Sequence, residues 1–156
     1  MKLQSSSVDF PNHHTVLIVD DSDDGRFMLR TYLQLKGYGV MEAADGIEAI
    51  AAATGKRPDL ILMDLQLPGL DGVSVTRQLR LNPLSRFVPI VIVSGWDPKR
   101  HRPQALAAGC DEYLFKPVDF SLLDQILDRY LPLVRTPPPS PTGELELVSK
   151  TAVEPL

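Results

Sequence analysis

Two adjacent carboxylates, Asp20 and Asp21, a third at Asp64, the hydroxyl of Ser94 30 residues further on and the amine of Lys116 another 22 residues on all stand at or just after the end of a short apolar run. Taken singly, an acid in such a place is a turn or cap residue far more often than a functional one. Taken together they differ. If the runs are strands of one parallel sheet, their carboxyl ends share the edge at which such sheets bind ligands. Three carboxylates on that edge would repel one another and raise their pKa values unless a cation offset them. An all-oxygen donor set points to Mg²⁺, which keeps waters that phosphate oxygens can replace. That suits phosphoryl transfer better than hydrolysis of carbon compounds.

The elements that must deliver these groups are readable from periodicity. Thr15 to Asp20, Tyr38 to Ala43, Asp59 to Asp64, Val88 to Val93 and Glu112 to Phe115 are short apolar runs of buried-strand type. Between them lie helical stretches: Phe27 to Leu35 stopped by Gly37, Ile47 to Ala53 closed by Thr54 and Gly55, and Val73 to Leu81 ending before Pro83. A fourth helix is expected to start near Arg102, because Pro103 is tolerated best in a first turn, and a fifth runs over Phe120 to Tyr130 with Asp119 as N-cap. Five strand–helix alternations imply an α/β fold with right-handed crossovers, a parallel sheet and helices on both faces.

The 156 residues suffice for one domain, and 44% hydrophobic with 23% charged residues is a globular composition. A net charge of -4 argues against a nucleic-acid binder. Cys110 is the single cysteine, read as a small buried residue in a reduced, cytoplasmic protein, and no segment has the apolar length of a signal peptide or membrane span. The expected organisation is a flexible N-terminus over 1–13, a domain over 14–132 and a disordered, Pro-rich acidic tail over 133–156.

The segments VLIVDDS, DLILMDLQLPGLDG, VIVSG and DEYLFKP, in this order over roughly residues 14 to 132, resemble the signature segments of the response-regulator receiver family. The resemblance implies a flavodoxin-like five-stranded sheet of order 2-1-3-4-5 with five helices. It implies that Asp64 accepts a phosphoryl group, that Asp20 and Asp21 position Mg²⁺, and that Asp64 and the main-chain carbonyl of Gln66 ligate it too. Lys116 would contact a phosphoryl oxygen, aimed by a cis peptide bond to Pro117, and Ser94 would donate its hydroxyl to the phosphoryl group. Tyr113 would rotate inward behind Ser94 as the switch. The donor would be a histidine kinase or a histidine phosphotransfer protein, and the output a partner protein docked on helix four, strand five and helix five, with no nucleic acid and no membrane involved.

Other residues carry weaker expectations. Trp96 and Gln66 are read as modulators of phosphoryl lifetime, the indole by excluding water and the amide by orienting it. Pro68, Gly69 and Gly72 resemble the family's loop after the nucleophile, where glycine permits unusual conformations. Asp23 and Asp24 are expected to cap the first helix, and Arg100, His101 and Arg102 to form a solvated basic face. His13 and His14 are read as neither phosphoacceptor nor metal ligand. Two rival readings stay open: a turnover phosphatase working through an aspartyl phosphate, and a fragment of a longer regulator or hybrid histidine kinase. The phosphatase is disfavoured because such enzymes place a second acid two residues after the nucleophile, where this chain has Gln66.

Overall fold

Short apolar runs fit strands buried on both faces of a layered domain, and strands are what they form. The structure, a computed structural model, describes residues 14–132; the expectations for 1–13 and 133–156 lie outside the described residues. In chain order the elements are β1 (Thr15–Val19), α1 (Asp23–Leu35), β2 (Gly39–Ala43), α2 (Gly46–Gly55), β3 (Leu60–Met63), α3 (Gly72–Leu81), β4 (Ile90–Ser94), α4 (Pro98–Ala108), β5 (Glu112–Phe115) and α5 (Phe120–Tyr130). All strand pairs are parallel, and the sheet order is β2-β1-β3-β4-β5.

Alternate residues of the central strands divide the core in two. Leu17, Val19, Ile61, Met63, Ile90 and Ile92 pack with Ala49, Val75, Leu79 and Ala105, which come from α2, α3 and α4. Val16, Ile18, Leu60, Leu62, Val91 and Val93 pack on the other face with Leu29 and Leu33 of α1 and Leu123, Ile126 and Leu127 of α5. Cys110 is buried, as a small apolar residue would be. No helix of the described residues is long and apolar enough to cross a membrane.

Two local expectations are corrected. Helix α4 begins at Pro98, not near Arg102, because the Asp97 carboxylate caps it by accepting the Lys99 N–H at 3.0 Å and Pro98 occupies the first turn. Pro103 therefore sits inside the helix, where it lacks the N–H that would reach the Lys99 carbonyl. At α1 the cap is Ser22, whose hydroxyl accepts the Gly25 N–H at 3.1 Å, while Asp23 and Asp24 occupy the first turn, where the helix dipole favours negative charge.

Candidate functional site

Strand register brings the acids together. Val19 lies opposite Met63, so the residues that follow, Asp20 and Asp64, leave the sheet side by side, and the Asp64 N–H donates to the Val19 carbonyl at 2.9 Å. Across β4, Ser94 lies opposite Phe115, and the next N–H, that of Lys116, donates to the Ser94 carbonyl at 2.8 Å. One carboxylate oxygen from each of Asp20, Asp21 and Asp64 lies within 4.8 Å of the other two. The Lys116 Nζ is 3.0 Å from Asp20 Oδ2 and 3.0 Å from Asp64 Oδ2.

The two neighbouring acids are not equivalent. Asp20 is buried, with Oδ1 accepting the Ser22 N–H at 2.8 Å and Oδ2 facing Lys116. Asp21 is exposed, and among the described residues no hydrogen bond or ion pair holds its carboxylate. Asp64 is buried, and its Oδ1 accepts the Gln66 N–H at 3.1 Å. Burial pushes the Asp64 carboxyl above its ordinary range and the charge of Asp20 adds to this, against the opposing pull of the Gln66 amide and Lys116. For Lys116 burial acts downward, but the hydrogen bonds and charges of Asp64 and Asp20 outweigh it and hold the ammonium above its usual value. An all-oxygen set of two buried carboxylates and one open one fits a hard divalent cation, since the acids repel one another and, among the described residues, Lys116 is the one cation that touches their carboxylates.

Ser94 stands behind the carboxylates. It is fully buried, and its Oγ accepts the Trp96 N–H at 3.1 Å. Tyr113 is half-buried; its hydroxyl donates to the Trp96 carbonyl at 2.8 Å, and burial pushes the phenol up while the Ser94 hydroxyl pulls it down. Ser94, Trp96 and Tyr113 therefore form one hydrogen-bonded unit at the β4–α4 turn. The Trp96 indole is tilted against the His101 ring at 4.7 Å and, with Asp21, Leu65, Gln66, Leu67, Pro68 and Asp71, lines an open cleft of about 390 Å³ beside the acids. The Lys116–Pro117 bond is cis.

The glycines of the site do different things. Gly69 has a φ of +77° and needs the conformational freedom expected of it. Gly72 does not have positive φ; a Cβ there would lie 2.2 Å from the Asp64 carbonyl oxygen and 2.9 Å from the Leu65 Cα. It is required for space, which lets α3 start directly beneath the candidate nucleophile. Gly25, which nothing in the sequence singles out, is a third: a Cβ there would come within 2.7 Å of Asp20 Oδ2. Gly72→Ala is expected to lower the unfolding free energy by about 3 kcal/mol, because the clash is with main chain. Gly69→Ala meets no atom within 4 Å and carries only the strain of its φ, about 1 kcal/mol. Urea unfolding of the two variants checks the order.

The order of the sheet and the acids and lysine at its carboxyl edge define a doubly wound α/β domain whose clustered acids could hold a metal ion. The profile of the response regulator receiver domain matches residues 16–128, and the chain belongs to that family. It is 37% identical over 139 residues to the transcriptional regulatory protein PrrA of Mycobacterium tuberculosis, covering 89% of this chain and 58% of PrrA. The chain thus spans little more than half the length of that relative. Among solved structures, the receiver domain of the sensor histidine kinase PA1611 of Pseudomonas aeruginosa, with magnesium coordinated in its active site cleft, is 37% identical with a TM-score of 0.71, covering 76% of this chain and 98% of that one. The receiver domain of Ssk1, solved in complex with the histidine phosphotransfer protein Ypd1 of Saccharomyces cerevisiae, is 28% identical with a TM-score of 0.70, covering 77% and 90%.

Proposed function

We propose that this receiver is a cytoplasmic phosphoacceptor switch that takes a phosphoryl group on Asp64 from a phosphohistidine donor, then signals by altered contact with a partner protein. The observation that carries this reading is the placement of Asp64, buried at the end of β3 between the acids of β1 and the Lys116 ammonium. An Asp64 carboxylate oxygen would form the new O–P bond as the N–P bond to the donor imidazole breaks, the imidazole taking up a proton on leaving. Lys116, already touching Asp64 Oδ2, would neutralise a phosphoryl oxygen as a point charge. Asp20, Asp21, Asp64 and the Gln66 carbonyl are the groups that would hold Mg²⁺, which supplies charge neutralisation for the transferring phosphoryl group. Magnesium in the PA1611 receiver and the Ypd1 partner of Ssk1 support the ion and the donor class by similarity.

Signalling would begin at Ser94. Donating its hydroxyl to a phosphoryl oxygen would draw it from the Trp96 N–H and release the turn that Tyr113 also holds, which biases the face made by α4, β5 and α5 toward partner binding. The chain acts on this reading as a switch and not as a turnover enzyme, with neither nucleic acid nor membrane as its target. A second reading, that it is the receiver portion of a longer regulator, draws support from the greater length of PrrA and leaves the switch chemistry the same.

The test is incubation with Mg²⁺ and acetyl phosphate, followed by intact mass and site mapping. A single hydroxylamine-labile adduct at Asp64 is expected, whereas many phosphates released per protein from p-nitrophenyl phosphate would replace the switch by a phosphatase. The lifetime of the adduct is a separate prediction. Trp96 lines the cleft and is braced by His101, so its indole shields the acyl phosphate from water better than the exposed Gln66 amide directs water toward it. Trp96→Ala should speed phosphate loss a few-fold at constant Mg²⁺, and Gln66→Ala should change it less. A decay rate unchanged or slowed in Trp96→Ala would remove the shielding role.

A further inference from the structure

Asp21 carries the one open carboxylate of the site, yet among the described residues no hydrogen bond or ion pair holds that carboxylate directly. Its position must come from the main chain that bears it. That main chain is gripped from one side by Arg26, in the first turns of α1. The Arg26 Nη1 donates to the carbonyl oxygen of Asp20 at 2.6 Å, which is the oxygen of the peptide group joining Asp20 to Asp21. The remaining edges of the same guanidinium are anchored too: Nε donates to Glu42 Oε1 at 3.2 Å, and Nη2 donates to the Asp23 carboxylate. Glu42 is itself fixed, its Oε2 accepting from the Arg30 Nη1 at 2.7 Å. The Arg26 side chain is only 15% exposed, although it is charged and near the domain surface.

We propose that Arg26 is a positioning residue for the metal site, orienting the Asp20–Asp21 peptide through its bond to the Asp20 carbonyl, with Glu42 of the edge strand β2 as its anchor. The physical case rests on the guanidinium fork. Its fixed planar donors let one side chain bind a main-chain carbonyl and a carboxylate on a different element at once, so the acidic turn is tied to β2 as well as to its own helix. The loop is held on its other flank by the Asp20 N–H, which donates to the Ala43 carbonyl at 3.1 Å, one residue beyond Glu42. Edge strand β2 thus serves the site without contributing a ligand. A cation beside an acidic site costs metal affinity by simple repulsion, so its presence here needs a compensating role, and orientation supplies it.

The inference rests on the reading of Asp20, Asp21 and Asp64 as a Mg²⁺ site, and its sign separates it from electrostatics. If Arg26 acted only through charge, its removal would raise Mg²⁺ affinity, because the site would become more negative. If it positions the ligand-bearing peptide, removal lowers affinity, by roughly tenfold, the lower end of what loss of an outer-shell partner does. The experiment is Mg²⁺ titration by calorimetry of the full chain carrying Arg26→Met, with Arg26→Lys, Glu42→Gln and Arg30→Met alongside, and thermal unfolding in EDTA for each. Arg26→Lys keeps the charge but loses the fork and is expected to recover only part of the affinity. Glu42→Gln loosens the anchor and should lower affinity in the same direction as Arg26→Met, by less. Arg30→Met removes a cation that steadies Glu42 without touching Asp20, and should lower affinity by less than Glu42→Gln does. If Arg26→Met does not fold, Arg26→Lys decides: affinity equal to that of the unchanged protein overturns the proposal. Equal or tighter Mg²⁺ binding by folded Arg26→Met overturns it as well, whatever happens to the melting temperature. Failure of the unchanged protein to bind Mg²⁺ would instead overturn the metal-site reading on which the inference stands.

Discussion

Asp64→Asn is expected to reduce phosphorylation by acetyl phosphate to background while raising the thermal stability of the metal-free protein. The first effect follows from position: among the described residues only Asp64 and Asp20 are buried carboxylates in contact with the Lys116 ammonium, and the receiver reading assigns the acceptor to Asp64 at the end of β3 and the metal to Asp20. An amide at 64 has no anionic oxygen to attack phosphorus. The second effect follows from the raised pKa of the Asp64 carboxyl, caused chiefly by burial. An acid raised in the folded state binds more protons there than when unfolded, so stability falls as pH climbs from the ordinary 3.8 through the raised value, and stays lower above it. Asparagine keeps the shape and an acceptor for the Gln66 N–H but removes the charge, and Lys116 retains Asp20. In EDTA at neutral pH the variant should melt a few degrees higher, and the gap should narrow as the pH falls toward 3.8. A normal adduct yield from the variant would overturn the assignment of Asp64. A lower melting point in EDTA would show that the Lys116 pair outweighs burial at this site.

What the sequence shows of this molecule depends on how local the cause is. Strands β3 and β4 are legible because both faces are covered: Leu60–Met63 and Ile90–Ser94 have no exposed position to blur the run. The acids and Lys116 are legible because each lies just past a strand, and in a parallel sheet those positions share an edge. Helix α4 is less so. It buries Ala105 and Ala108 but exposes Arg100 and Arg102, so its apolar periodicity is faint and Pro103 looks like a beginning. Arg26 leaves no trace at all in the sequence, since one of its partners is a main-chain carbonyl and another, Glu42, is 16 residues away on an edge strand. Gly72 is visible as a glycine, but its reason, that a Cβ there would meet the Asp64 carbonyl oxygen at 2.2 Å, shows only in the packed structure. The same holds for the inequality of Asp20 and Asp21, two identical neighbours of which one is buried and the other exposed.

That inequality yields the other large effect. Asp21→Ala should weaken Mg²⁺ binding by roughly a hundredfold, the upper end of the range for outer-shell partners, because it removes a ligand and not merely its support. Among the described residues Asp21 makes no side-chain bond, so its loss should leave the fold intact, and metal affinity and stability should separate cleanly in this variant. Asp20→Ala should not separate them. It would strand the Ser22 N–H, leave Lys116 with Asp64 alone, and remove the carboxylate against which Gly25 packs, so affinity and melting temperature should fall together. Trp96 is the sole tryptophan and lines the same cleft as Asp21, which makes its fluorescence a direct reporter of the titration. Calorimetry supplies the independent measure. Unchanged affinity in Asp21→Ala would mean that the ion sits elsewhere, and an Asp21→Ala protein as destabilised as Asp20→Ala would mean that the exposed acid has a structural role the geometry does not show. The open carboxylate is the expected entry point of the ion: with Asp20 committed to Ser22 and Lys116, only Asp21 can reach a hydrated cation before the buried oxygens do.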